Sequence, residues 1–438
     1  METQPKTSWQ TYAALPPQTA RVCRLLAALP PARWDVNAAA AVCSLSPQET
    51  AAQLHALCTA RLMHQQANHP GHYEFHGAFR GLARTFAEQH EKQPAREEAL
   101  VLWLDWMLAT VSSAERLLTP WRQRLSCALH DRTSLTSAKE AWAWLTAHQD
   151  DLQAAVTAAQ QHRQLSWVPQ LVRAAWPLFH RLRPWTVWLD LHQQAVSAAA
   201  ACGQPEEERA LLTSGAMALR GLGDPAEASG WAYRSLASAT RAQDHHSRAD
   251  ALVELAQCQA AVGGTSSAIR LLNSAMGIRQ RPPVCDPHGV TACRLVLAEV
   301  HLHARQLDVA HTYAAGVAQE MTESGDAFST GRALTISSRI HAQLGEHEKS
   351  LNLLHQALDL FTATGAAPYQ ADVHASLGEA ARQQGHPRQA ASHFRNAQLL
   401  YQRVDPHAAG RMALRIRALR APIPLGPAPE TDRVRISR

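Results

Sequence analysis

Twenty-four histidines and eight cysteines are the side chains of this sequence best suited to metal ligation or nucleophilic chemistry. Their spacing does not develop it. Cys23, Cys43, Cys58, Cys127, Cys202, Cys258, Cys285 and Cys293 include no C-x-x-C pair, the spacing that zinc sites use. Scattered thiols read instead as small buried residues in a reducing compartment. His64, His69, His72 and His76 crowd one short stretch, but a turn between two extended runs fixes no ligand geometry. His301 and His303 are two apart on a helical pattern and cannot share a face. His245-His246 falls between helical stretches. No G-x-S-x-G or H-E-x-x-H occurs, and no G-x-x-x-x-G-K-[ST]. Gly345 to Ser350 lacks the second glycine that a phosphate-cradling loop needs. The expectation is a protein with no catalytic residues, no metal and no cofactor.

Charge is uneven along the chain. The formal net charge is +5, yet residues 371–438 hold eleven arginines against five acids, leaving the rest near neutral. Such a basic end is a candidate contact for nucleic acid or an acidic partner. No apolar run approaches the ~18 residues that span a bilayer. Met1 to Gln10 is polar with no h-region, so neither a secretory signal nor a membrane segment is expected and the location is read as cytoplasmic. Alanine and leucine dominate, which favours helices over sheets.

The elements that must position any site come from an internal repeat. Gly223, Gly263, Gly345 and Gly385 are each followed five residues later by a small residue: Ala228, Ala268, Ser350, Ala390. Ala310 occupies the same place between them, with Arg305 standing where the glycine would be. A second small column runs Ala216, Ala256, Ala298, Ser338, Gly378, and a third Ser235, Ala275, Val317, Ala357, Ala397. Small residues at three fixed points let two helices approach closely. Each unit of about forty residues therefore reads as helix, short turn, helix, and one pair must stack on the next to bury its face. Residues 165–201 supply a further N-terminal pair with Trp188 in the small position. These columns resemble the tetratricopeptide repeat (TPR) family, over about 165–420, in the longer form found in bacterial signalling regulators. The period and the missing proline at the end of the second helix depart from its standard pattern.

The N-terminal part carries a different pattern. Helical spacing runs from Gln18 to Leu29; Asp35 is a good N-cap for Val36 to Cys43; Ser46-Pro47-Gln48-Glu49 is a capping box with proline at the first helical position. Leu62–Gln66 and His72–His76 flank a Pro-Gly turn and predict a hairpin, the one pair of strands expected in the chain. Three helices, a hairpin and a helix is winged-helix order. Trp103, Trp106, Trp121, Trp142, Trp144, Trp167, Trp176, Trp185 and Trp188 then concentrate in the window 100–190, a composition for a rigid core or for a stacking platform.

The expected architecture is all-α with one small hairpin: a flexible N-terminus over 1–14, a winged-helix-like domain over 15–92, a Trp-rich helical connector over 95–163, about six TPR-like helix pairs over 165–405, a capping helix over 406–420 and a disordered tail over 421–438. A winged helix ending in Tyr73-x-Phe75-His76, an Ala141-Trp-x-Trp-Leu145 helix and then TPRs is similar to the back half of actinobacterial NB-ARC regulators, STAND-type switch ATPases. In that family the histidine after the wing belongs to an M-H-D-like motif that senses nucleotide phosphate. His76 matches it as a vestigial sensor, with Gly77 in place of the aspartate, and the ATPase motifs are missing.

The TPR register implies that first helices face a groove. Its middle column would be Met217, Gln257, Glu299, Arg339 and Glu379, flanked by Arg220, His303, Gln343 and Arg382, with Asp250, Arg332 and Asp372 one turn earlier. Mixed charge there suits a protein or peptide segment. The reading is a non-catalytic regulator or scaffold, and the resemblance extends it to the sensor half of a split STAND-type regulator. Two alternatives stand beside it. One is a DNA-binding regulator using the winged helix or the basic cap (Arg411, Arg415, Arg417, Arg420), although Gln48, Glu49, Gln53 and His55 make Pro47–Ala60 a poor match to a polyanion. The other is an enzyme with a small-molecule pocket near the Trp-rich stretch.

Overall fold

The computed structural model describes residues 8–66, 71–124, 135–402 and 404–419, which form twenty-two helices and three short strands. They fall into two compact units, one up to residue 304 and one from residue 305.

The first unit opens with α1 (Ser8–Ala13), α2 (Pro17–Ala28), β1 (Arg33–Asp35), α3 (Val36–Cys43), α4 (Pro47–Thr59), β2 (Met63–Gln65), β3 (His72–Phe75) and α5 (Gly77–His90). The Asp35 carboxylate accepts from the N–H groups of Asn37 and Ala38, starting α3. Ser46 and Glu49 complete the capping box of α4, with Pro47 inside it. β3 is central and antiparallel to both neighbours, with Trp34 opposite Tyr73 and Met63 opposite Phe75. The hairpin is therefore present and gains a third strand. Arg33-Trp34-Asp35 is too short to show alternation, and the extended backbone of the Asp35 cap (φ −83°, ψ 163°) simply continues backwards into it.

Flexibility expected over 1–14 does not extend to Ser8–Ala13, which is helical. Tyr12 is buried there, stacked on Phe86 at 4.3 Å and accepting a 2.8 Å bond from Arg24. An aromatic pair one helical turn apart, Trp9 and Tyr12, was enough to anchor it.

α6 (Gln93–Leu118), α7 (Ala138–Ala147) and α8 (Gln149–Gln161) follow. α6 is apolar nearly all round, burying Leu100, Trp103, Leu104, Trp106, Met107 and Val111, as a helix in the middle of a core must. One hydrophobic core runs from Tyr12 to Ala218, so no packing boundary falls between 92 and 95 or between 163 and 165.

Helix pairs then stack: α9 (Trp167–Ala174) and α10 (Trp176–Leu182) with α11 (Trp185–Ala201), α12 (Pro205–Gly221) with α13 (Pro225–Arg241), α14 (His245–Ala261) with α15 (Thr265–Arg279), and α16 (Pro287–His303). The first helix of the N-terminal pair is broken at Ala175, where Pro177 removes a backbone donor. The second unit holds α17 (Leu307–Glu323), α18 (Ala327–Gln343) with α19 (His347–Ala363), α20 (Ala367–Gln383) with α21 (Pro387–Tyr401), and α22 (Pro406–Ala418). Asp224, Asp244, Asp286 and Asp326 each cap a helix through a side-chain oxygen.

All fifteen residues of the three small columns are buried. The turn glycines adopt the left-handed backbone that the repeat demands, with φ of 89°, 83°, 80° and 77° at Gly223, Gly263, Gly345 and Gly385, and Arg305 is forced to 59° in the same place. Residues 421–438 lie outside the described residues. Among those described, no helix is long and apolar enough to cross a membrane.

Candidate functional site

First helices present one recurrent open position. Met217, Gln257, Glu299, Arg339 and Glu379 are all half-buried. The residue before each of them is sealed in the core, as are Ala218, Cys258, Val300 and Ile340 after the first four. A helix packed on both sides leaves only such a ridge to reach solvent.

Many flanking charges are tied to partners inside their own unit. Arg220 Nε donates to the buried Glu254 at 2.8 Å. Burial works against its charge, but Glu254 outweighs this and holds the guanidinium above its ordinary range. Asp250 accepts from Arg279, whose charge is likewise held by Asp250 and Asp286 against burial. Gln257 lies 3.4 Å from Glu254, and the His303 ring donates to the carbonyl of Glu299 at 2.8 Å. Asp372 accepts from Tyr401 at 2.5 Å, and Glu379 takes a fork of bonds from Arg382. Arg332 is half-buried and Gln343 exposed. The five column residues share the same half-buried state, while Arg220, Asp250 and Asp372 join neighbouring helices, a role the linear pattern could not reveal.

On α22, Arg411, Arg415 and Arg417 are exposed; Arg411 is 3.9 Å from Asp405, and Arg415 lies over the Phe394 ring at 5.6 Å. Arg420 lies outside the described residues. His76 is the exposed N-cap of α5, its ring 4.9 Å from His64. His69 lies outside the described residues, and among those described no three His, Cys, Asp or Glu side chains gather to hold a metal.

Two groupings were missed from the sequence. A cleft of about 330 Å³ opens between the sheet and the α7–α8 corner, lined by Arg33, His72, Thr146, His148, Asp150 and Asp151. Burial raises the Asp151 carboxyl to about 6 despite Arg33, and burial lowers His148, whose ring donates to the Trp144 carbonyl. The only sequence signal was an acidic pair opening a helix.

The second is a charged node inside the Trp-rich region. Glu115 on α6 is 1% exposed and pairs with Arg122; Arg173 on α9 lies 3.9 Å from Glu115 and 2.9 Å from Glu207 on α12. Arg122 also covers the Trp176 ring at 4.9 Å. Next to it His192 is fully enclosed, donating to the Trp188 carbonyl and bonded to Ser214, and burial lowers it to about 3. Glu115-Arg116 reads as surface charge on a helix, so nothing in the pattern betrayed its burial.

Residues 329–403 match the family model for the tetratricopeptide repeat. Over 110 residues the chain is 36% identical to the regulatory protein AfsR of Streptomyces griseus, a stretch covering 25% of this chain and 11% of that protein's length. Similar solved structures include a STAND protein with a tetratricopeptide repeat sensor from Pyrococcus horikoshii, at 10% identity and TM-score 0.44, covering 95% of this chain and 66% of that one. A Rap protein complexed with competence and sporulation factor is 13% identical at TM-score 0.48, covering 75% of this chain and 92% of that one.

Proposed function

We propose that this chain is a non-catalytic regulatory protein that binds a protein or peptide segment along the first-helix faces within each of its two units. The observation that carries the reading is the recurrent half-buried position at Met217, Gln257, Glu299, Arg339 and Glu379, polar in four of five pairs and bordered by sealed core. An extended segment can read a ridge of this kind through alternate side chains. The stretch similar to a regulatory protein supports a signalling role. On the same reading the N-terminal helices and sheet form a winged helix with His76 as a structural N-cap. DNA reading by α4 is disfavoured, because its exposed side chains include Gln48, Glu49 and His55 rather than a cluster of bases.

Capture from the native host at two salt concentrations, followed by titration of the purified partner, tests this. Charge reversal by Arg339→Glu with Glu379→Arg is expected to weaken the partner at least tenfold while the fold persists. Retention of the same partner at full strength by the variant, or recovery of DNA alone, would remove the groove from consideration.

A further inference from the structure

The segment after α6 does not leave the first unit's surface; it runs across the first helices. Trp121 stacks on His288 in the opening turn of α16, ring centroids 4.4 Å apart and planes 20° from parallel. Arg122 donates to Glu115 and, at 3.3 Å, to the Arg173 carbonyl on α9, while its guanidinium covers Trp176 on α10. Asp250 on α14 adds its negative field to the same guanidinium. Two adjacent residues thus touch α9, α10 and α16, helices of the first and fourth pairs, with the charge of Asp250 on α14 of the third pair acting on Arg122. A chain can reach all of them only by crossing the stack. The segment is also pre-shaped: the Arg122 N–H and the Arg124 guanidinium both close on the Thr119 carbonyl, at 3.1 and 2.8 Å.

What this segment touches is a recognition surface in chemical terms: a flat imidazole for an aromatic ring, then acids and an indole face for a guanidinium. We propose that Trp121-Arg122 occupies, within the same chain, the binding site of the first unit, and that the external ligand there is an extended protein segment presenting an aromatic residue next to an arginine, which binds by displacing it. The inference rests on the groove reading above and sharpens it by naming the ligand's chemistry and its built-in competitor. A tethered competitor acts at an effective concentration of order mM, so it weakens an outside ligand of μM affinity by more than tenfold.

The test uses the full chain and a fluorescein-labelled peptide copying Leu117 to Arg124, followed by anisotropy. Trp121→Ala keeps the Arg122–Glu115 pair but frees the ring site, and is expected to bind the peptide at least tenfold more tightly than the native chain. Adding His288→Ala should cancel that gain, and a peptide with alanine for its tryptophan and glutamate for its first arginine should not bind. Equal affinity of the native chain and a folded Trp121→Ala variant would overturn the proposal. Should that variant fail to fold, hydrogen exchange of residues 117–124 in the native chain decides: saturating peptide must raise their exchange, and unchanged exchange overturns it. Failure here with loss of the captured partner in the Arg339→Glu/Glu379→Arg variant sinks the competitor alone; failure of both sinks the groove.

Discussion

The two units join their helix pairs with different chemistry. In the first, ion pairs with at least one buried partner connect helices distant in sequence: Arg173 with Glu207, Arg209 with Asp244, Arg220 with Glu254, Arg279 with Asp250. In the second, Arg382 with Glu379 and Lys349 with Glu346 are local pairs three residues apart on one helix and reach solvent. Ring packing takes their place there, with Phe328, Phe361 and Tyr369 within 4.9–6.0 Å of one another and Phe394 filling the space beside Gly378. Rings fill volume whichever repeat supplies them. A buried arginine needs its acid in place, and the pairs of Arg173, Arg209 and Arg220 each tie one helix pair to another at the cost of desolvating charge.

The largest expected effect breaks that contrast directly. Arg173→Ala leaves the largely buried Glu207 without its partner, while Glu115 keeps Arg122, and is expected to cost the first unit about 3–5 kcal/mol. Arg382→Ala in the second unit removes an exposed pair and should cost no more than about 1 kcal/mol. All twelve tryptophans lie at or before Trp231, so tryptophan fluorescence during denaturation reports the first unit alone. A loss below 1 kcal/mol for Arg173→Ala would mean that water already satisfies the node.

Acid should separate the units next. His192 has a folded pKa near 3, below the ordinary imidazole value, so between these limits the unfolded chain binds the extra proton. Its contribution is complete above about pH 6.5 and is lost as pH falls, at about 1.4 kcal/mol per pH unit, or roughly 3 kcal/mol by pH 4.5. Asp151 opposes this, because its raised pKa lets the folded state recover a proton first as pH falls through 6. In the second unit, His374 and His393 face each other with Nδ1 atoms 3.2 Å apart; burial lowers both, helped by the charges of His393 and His355 at His374 and of His355 at His393. They too lose stability below pH 6.5. Equilibrium denaturation of His192→Gln should therefore show a shallower acid slope by fluorescence, with the exchange of α20–α21 amides unchanged. An unchanged slope would show that His192 is protonated while folded.

How much of this was visible beforehand follows from what spacing encodes. The columns at Ala216, Ala228 and Ser235 and their successors were legible because close helix approach needs small residues at fixed intervals, and all of them are buried. The left-handed turns were legible through their glycines. Strand β1 was not, since three residues show no period. Nor were the ion pairs: a sequence places Arg220 and Asp250 on a helix face but cannot say that they turn to Glu254 and Arg279. The Trp121 contact with His288 was out of reach for the same reason, because a loop's path over a stack leaves no periodic trace.

Overpacking sharpens the comparison from the aromatic side. A Cβ on Gly378 would lie 2.6 Å from the Phe394 ring, which is itself wholly buried and cannot retreat. Gly378→Val is expected to cost the second unit about 2 kcal/mol, within the usual range for inserted methylenes. Gly215 is in the same position against Trp231 at 2.5 Å in the first unit. Trp231 is only half-buried, so Gly215→Val should cost less. Equal losses would mean that ring burial does not set the penalty.

The smallest effect concerns the one turn of the series built without glycine. Arg305 holds φ 59° where its counterparts Gly223, Gly263, Gly345 and Gly385 hold 77–89°. A Cβ in that region costs about 1–2 kcal/mol. Glycine would relieve the strain but adds freedom to the unfolded chain, worth about 0.4–1 kcal/mol. Arg305→Gly should thus stabilise the second unit by about 0.5 kcal/mol, and the mirror change Gly345→Arg should destabilise it by about 1 kcal/mol. Hydrogen exchange of the α17 and α19 amides reads the two changes separately. If Arg305→Gly instead speeds exchange in α17, the arginine side chain contributes a contact that outweighs its strained backbone.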